Sequence, residues 1–423
     1  MTAGNTIDDM IEKAVFDPDI QVRESYRQKI RDSAVKEGIF LASIQGLYEA
    51  AAQGLYSNTT VPAINIRGLT YHVARTIFRT ALKYKVGALI FEIARTEMVY
   101  TDQPAAEYVV SVLAAAIREG FKGPVFIQGD HFQLNQSKYA SNPEEEVKGI
   151  EESTRDAVNA GFLNIDIDSS TLVDLDKPSI DEQQRNNYVV AADMTRFIRN
   201  IEPEGVTISV GGEIGEVGKA NTTVEELRAY MKGYHNRLGT DVKGISKLSV
   251  QTGTTHGGVV LPDGKIADVK LDFNTIEELG KVAREEFGVG GIVQHGASTL
   301  PDEMFELFPQ VGTLEVHLAT GYQNIIYDSP YFPGELLNKM YRYITDKYSN
   351  ERKAGDTREQ FLYKTRKKAF GGFKSETWHL PEKNLAEIIQ TLENEFSLLF
   401  RRLNVTDTVE LVNKYVVNRQ PAV

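Results

Sequence analysis

The chain of 423 residues contains no cysteine. That removes disulfides and thiolate metal sites together, so any transition metal falls to histidine and carboxylate. Histidine is itself scarce, at 7 residues, which keeps the search for such ligands short. Positive charge is also in deficit, with 47 Lys and Arg against 59 Asp and Glu and a formal net charge of −12. A field of that sign repels nucleic acid and anionic membrane, so neither is expected as a partner, and an anionic substrate must meet a local positive site. No apolar run approaches a membrane span, and the opening stretch MTAGNTIDDMIEKAV is acidic where a secretory leader is basic. A cytoplasmic location is the expectation. What remains is 41% hydrophobic and 25% charged residues, without repeats or low-complexity tracts, which is material for a large folded core.

Eight short strand-like runs alternate with helix-length amphipathic segments: VPAINI (61–66), GALIFEIA (87–94), PVFIQGD (124–130), FLNIDID (162–168), VTISVGGEI (206–214), KLSVQTGT (247–254), GIVQHGAS (291–298) and TLEVHLAT (313–320). Between them, segments such as TYHVARTIFRTALKYK repeat apolar residues at three- and four-residue spacing. This pattern predicts an α/β fold, a (β/α)8 TIM barrel over residues 61–330, with a doubly wound open sheet as the rival. Residues 1–60 form a predicted helical extension. Residues 331–423 form a helical appendage, placed to cap the barrel or to join subunits of a homo-oligomer.

Polar residues gather at the ends of the runs: Asp130 and His131, Asp166 and Asp168, Glu213, His256, His295 with Ser298, and Thr320. Barrel active sites are built at that end. His131, His256 and His295 follow the third, sixth and seventh runs, and three converging imidazoles with an open position suit catalytic zinc. Taken singly, each reads more readily as a satisfied or surface imidazole, because no local ligand spacing links them; their joint placement favours the metal. His72, His235 and His379 fall in helical segments and read as structural. The stretch GVGG at 288–291 precedes a strand, so it is no nucleotide loop.

Six segments, in order and at barrel spacing, carry a resemblance. They are AINIRGLTYHVARTIFRTALKYKVGALI, the GDH at 129–131, AGFLNIDIDSSTL, SVGGEIGEVG, GTTHGG and QHGASTLPDE. Over about residues 61–330 the chain resembles the class II, metal-dependent fructose-bisphosphate and tagatose-bisphosphate aldolases. The resemblance implies that His131, His256 and His295 bind zinc or another divalent transition metal. It also implies that Asp130 is the acid/base on the C4 hydroxyl, and that Glu213 is a supporting or alternate metal site. The implied activity is cleavage and formation of the C3–C4 bond of a ketose (bis)phosphate such as fructose 1,6-bisphosphate. The GDH at the mouth of a buried run would then be a catalytic acid followed by a metal ligand.

The departures fall on substrate recognition. Gly211 stands where the family usually has a further glutamate, and Glu216, Glu225 and Glu226 are only substitutes for its acidic loop. Val259 and Val260 replace a lysine after the HG motif, and His317, Leu318, Ala319, Thr320 and Gly321 replace a strand-eight N-x-D-T-D pattern. The remaining phosphate elements are Gly257, Gly296, Ser298 and Thr320, by backbone N–H groups and hydroxyls. His317 and the basic run Lys364 to Lys374 are the candidates for the missing positive charge, although such a run also reads as a solvated helix face. Looser phosphate recognition keeps open a sugar 4-epimerase using the same retro-aldol step, and a third possibility is an accessory subunit of a tagatose-bisphosphate aldolase.

Overall fold

Parallel strands joined by helices can pair only with one another, and here they pair until the sheet closes on itself. The structure, a computed structural model, describes residues 6–215, 220–253, 260–262 and 271–416. The strands are β1 (Ile39–Leu41), β2 (Val61–Asn65), β3 (Ile90–Ala94), β4 (Gly123–Gln133), β5 (Asn164–Asp168), β6 (Ser209–Gly215), β7 (Lys247–Val250), β8 (Ile292–Gln294) and β9 (Glu315–Leu318). Strands β2 to β9 pair in parallel in chain order, and β9 returns to β2. That closure makes an eight-stranded (β/α)8 barrel and excludes the open sheet.

Two features differ from the sequence pattern. β1 lies in the predicted helical extension, where three residues are too few to show an alternation. It pairs with Gly123–Val125, the part of β4 that precedes the register of β5 at Gln128↔Asn164, and so covers an otherwise open edge. Several strands also end earlier than their apolar runs. β7 stops at Val250 and β8 at Gln294, so His295 stands on the loop beyond β8 and Ser298 in the short 3-10 helix Ala297–Thr299 that follows. His317, by contrast, lies inside β9.

The helices bury one stripe each. In Thr70–Tyr84 the stripe is Val73, Ala74, Ile77, Phe78 and Ala81, at the spacing of one helical face. Beneath the barrel, Ile44, Leu47 and Tyr48 meet Val412 and Val416 against Val61, Ala63, Ile90 and Phe126, sealing the ends where the strands begin. The appendage shares the main core. Its long helix Glu382–Arg402 buries Ile388, Leu392, Phe396 and Phe400 in the same cluster as the barrel helices. Its basic run is pinned beside the opposite opening: the Tyr327 hydroxyl donates to the Arg366 carbonyl at 2.7 Å, and the Phe370 ring packs 4.8 Å from that of Tyr327. Among the described residues, no helix is long and apolar enough to cross a membrane.

Candidate active site

Alternate side chains along a strand face the barrel axis. Pairs two residues apart therefore fill two levels: Gln128 and Asp130, Asp166 and Asp168, Gly211 and Glu213, Lys247 and Ser249, Glu315 and His317. The first of each pair lies deeper. There Lys247, only 1% exposed, places its ammonium 2.5 Å from Glu315, 3.0 Å from Asp166 and 2.6 Å from the Gln128 amide oxygen. The Tyr48 hydroxyl donates to Glu315 from the barrel floor. Burial disfavours the Lys247 charge, but Asp166 and Glu315 outweigh it and hold its pKa above the ordinary value. Gly211 belongs to this packing, since a Cβ there would fall 2.3 Å from Asp166 and 3.0 Å from the Lys247 side chain.

The upper level depends on an irregularity in β4. Adjacent strand residues normally face opposite sides, yet Asp130 and His131 both turn inward. The register with β5 slips between Gly129 and Phe132, and His131 adopts a left-handed φ of 44°. Such a bulge re-aims side chains next to a site and is a strained conformation for a non-glycine residue. It also folds the Phe132 ring back over Gly129, where a Cβ would lie 2.2 Å away, so the glycine of GDH is a steric requirement.

The bulge sets the His131 Nδ1 3.0 Å from Asp168 and 3.3 Å from Glu213, and its Nε2 3.5 Å from Asp130. The His295 ring lies 4.4 Å from that of His131 and 4.1 Å from that of His317, so three imidazoles line up across the mouth. Ser249 holds the His295 Nε2 at 2.9 Å. Burial lowers the His131 pKa, but Asp130, Glu213 and Asp168 together drive it well above the usual value. Glu213 is pushed up to about 7, by burial first and by Asp168 next, against the pull of His131.

His317 has a different setting from the one expected of a phosphate ligand. Its Nε2 is 2.6 Å from Glu315, and its Nδ1 is 3.1 Å from Glu92 and 3.2 Å from Asp130. Burial opposes its charge, yet Glu92, Asp130 and Glu315 raise its pKa well above the usual value. A ring wrapped by carboxylates attracts cations and repels a phosphate dianion. The other expected residues divide. Gly296 and Thr320 line the cavity with Ser298, but the Ser298 hydroxyl accepts the Gly321 N–H at 3.1 Å. His256 and Gly257 lie outside the described residues.

The donor set fits a divalent transition metal. Ligand atoms of His131, Glu213 and His295 lie within 4.8 Å of one another, as do those of Asp130, His295 and His317. Imidazole and carboxylate without thiolate suit zinc and its neighbours, and a second contact to carboxylate or hydroxyl orients such rings. A third group, Asp166, Glu315 and His317, already has the Lys247 ammonium among its carboxylates.

A cavity of about 580 Å³ opens over these residues and extends to Arg67, Glu97, Tyr100, Gln323 and Lys367. Arg67 is held by Glu97 at 2.7 Å and reaches Gln323 at 3.0 Å and Thr320 at 3.3 Å. Glu92, Lys247, Glu315 and Arg67 escaped the sequence reading. The available signal was the two-residue period, since Glu315 shares a face with His317 and Lys247 with Ser249.

With barrel and mouth in place, comparison with known proteins bears on the class. The family model described as fructose-bisphosphate aldolase class-II matches residues 42–377, so the chain belongs to the class-II fructose-bisphosphate aldolase family. A plasmid-encoded fructose-bisphosphate aldolase of Cupriavidus necator is 27% identical over 169 residues, which span 37% of this chain and 45% of that relative, less than half its length. Among solved structures, fructose-bisphosphate aldolase from Campylobacter jejuni superposes with a TM-score of 0.51 at 16% identity, covering 88% of this chain and 97% of that one. The fructuronate-tagaturonate epimerase from Cohnella laeviribosi does so with 0.58 at 12% identity, covering 82% of each. At such identities the likeness is one of fold.

Proposed function

We propose that the protein is a metal-dependent lyase that cleaves and forms the C3–C4 bond of a ketose bearing an anionic group. The reading is carried by the β4 bulge, which turns an acid and an imidazole, adjacent in sequence, into one mouth beside His295 and Glu213. His131 and His295, with Glu213 and with His256 as the resemblance implies, are the residues that would hold the ion. A divalent cation bound there supplies Lewis acidity toward a carbonyl oxygen. Asp130 takes the proton of the C4 hydroxyl, the C3–C4 bond breaks, and its electron pair passes toward the ketone. Glu213, 3.3 Å from the His131 Nδ1, would be the supporting or alternate metal ligand. Family membership supports this chemistry; the substrate and zinc as the native metal are part of the proposal.

A second reading has one observation in its favour. The cationic wall of the cavity rests on Arg67 and Lys367, and the fold is shared with a protein named as a fructuronate-tagaturonate epimerase. Rotation of the cleaved aldehyde before readdition would make the same residues a 4-epimerase. Incubating zinc-loaded protein with fructose 1,6-bisphosphate, fructose 6-phosphate and tagaturonate, and identifying products, tests both. Triose fragments establish the lyase and a C4-inverted ketose the epimerase. Absence of turnover on all three defeats the first reading.

A further inference from the structure

The run Lys364 to Lys374 carries five cations, and four are committed elsewhere. Lys364 sits 2.8 Å from Asp356, Arg366 2.5 Å from Asp328, Lys368 2.5 Å from Glu351 and Lys374 2.7 Å from Glu107. Lys367 is the exception among the described residues. It is half-buried in the wall of the cavity, with its ammonium 5.8 Å from the centre of the Tyr100 ring and no ion pair to a described carboxylate. The same wall carries Arg67, whose Nε is taken by Glu97 while its Nη1 turns to Thr320 and Gln323.

We infer that Arg67 and Lys367 form a docking pole for one terminal anionic group of the substrate, so that this chain selects a ketose with a single anionic end. The inference rests on reading the cavity as a keto-sugar site and narrows it. Two cations less the charge of Glu97 leave one positive charge unmatched, which balances one carboxylate or about half the charge of one phosphate dianion. Among the described lysines and arginines lining the cavity, the remaining one, Lys364, is already spent on Asp356. Glu92, Asp130 and the acid-ringed His317 on the metal side repel a second anion. The appendage thus supplies a specificity residue that the barrel lacks. A pH signature follows. Burial first and Arg67 next lower the Lys367 pKa to about 8, against Glu97 and Glu351 and with Lys368 acting alongside Arg67. Tyr100 is pushed well above its usual value, mainly by burial, and Glu97 is held below its own by Arg67 despite burial. Between pH 7 and 9 Lys367 is therefore the group of this pole that titrates, and anion affinity declines as pH rises through about 8.

Calorimetric titration of the zinc-loaded protein with inorganic phosphate, fructose 6-phosphate, tagaturonate and fructose 1,6-bisphosphate provides the test, run on wild type, Lys367→Met, Lys367→Arg and Lys368→Met. Lys367→Met is expected to weaken the best single-anion ligand about tenfold. Lys367→Arg should restore it to within about threefold and flatten the decline above pH 8, while Lys368→Met leaves it unchanged. The fructose 6-phosphate and tagaturonate arms separate a phosphate from a carboxylate as the anion. Fructose 1,6-bisphosphate binding more than about tenfold tighter than either, an unaltered Lys367→Met, or no binding of any of the four overturns the inference. Cleavage of the bisphosphate with an unaltered KM in Lys367→Met would leave the lyase standing and remove only the pole. Tight single-anion binding without turnover would do the reverse.

Discussion

In the inner level of the barrel, Asp166 and Glu315 share the ammonium of Lys247, whereas one step further along the strands Asp130, Asp168 and Glu213 are met by imidazoles. Both levels bury carboxylates, and a buried carboxylate must be paired or neutralised. Lysine brings a permanent charge and closes the inner level to outside ions. Histidine is charged only while it holds a proton, so the upper level can exchange protons for a metal. The difference separates a framework that carries its own permanent cation from a level whose cations come and go with protons.

The largest effect is expected where that framework is broken. Lys247→Met leaves Asp166 and Glu315 buried without a cation and should lower unfolding stability by about 3–5 kcal/mol. Denaturant titration measures it, and Asp166→Asn added to the variant should recover part of the loss. Recovery by added zinc instead would mean that the two levels are not distinct. Next, Asp130→Ala should lower turnover by about a hundredfold while metal content by elemental analysis stays near that of wild type; full turnover would return Asp130 to the framework. His131→Ala and His295→Ala should each lose metal, and the thermal stabilisation by saturating zinc, about 2.7 kcal/mol at a hundredfold excess over Kd in the wild type, should shrink with it. Undiminished zinc content in both would dissolve the upper level as a metal centre.

The smallest effect sharpens the comparison with a histidine that has no carboxylate. His72 contacts the Trp378 carbonyl at 3.1 Å where barrel and appendage meet, and burial lowers its pKa to about 4 against that contact. The native state keeps it neutral while the unfolded chain takes a proton near its ordinary value of about 6.5. Its contribution is therefore complete above about pH 6.5 and is lost as pH falls toward 4, by roughly 1–3 kcal/mol. His72→Gln should flatten that slope in melts across pH 4 to 7.

The barrel was legible because alternation and helical spacing are local, and closure follows from eight such units. The placement of Asp130 and His131 at the mouth was legible because polar residues at the end of an apolar run stand out. Lys247 and Glu315 were not, because a charge inside a strand looks like a solvent-facing residue until the sheet closes around it. Lys367 could not be told from its neighbours Lys364, Arg366 and Lys368, since only the positions of Asp356, Asp328 and Glu351 in space show which cations are taken. The surroundings of His317 were hidden for the same reason: Glu92 and Asp130 come from other strands.

Gly211 and Lys247 have a consequence for how this barrel can vary. The space that a residue larger than glycine at 211 would claim is taken first by the Asp166 carboxylate and next by the side chain of Lys247. Neither position can change freely alone. A carboxylate at 211 demands that 247 shorten, and the shortened residue then strands Asp166 and Glu315. The two sites are therefore an epistatic pair, and a relative carrying an acid at the 211 position should carry a short side chain at 247 with a different answer to the charge beneath its metal. In a double-mutant cycle, Gly211→Ala should be harmful beside Lys247 and only partly relieved beside alanine at that position, because the Asp166 carboxylate still crowds the new Cβ, a coupling that separate single substitutions would conceal.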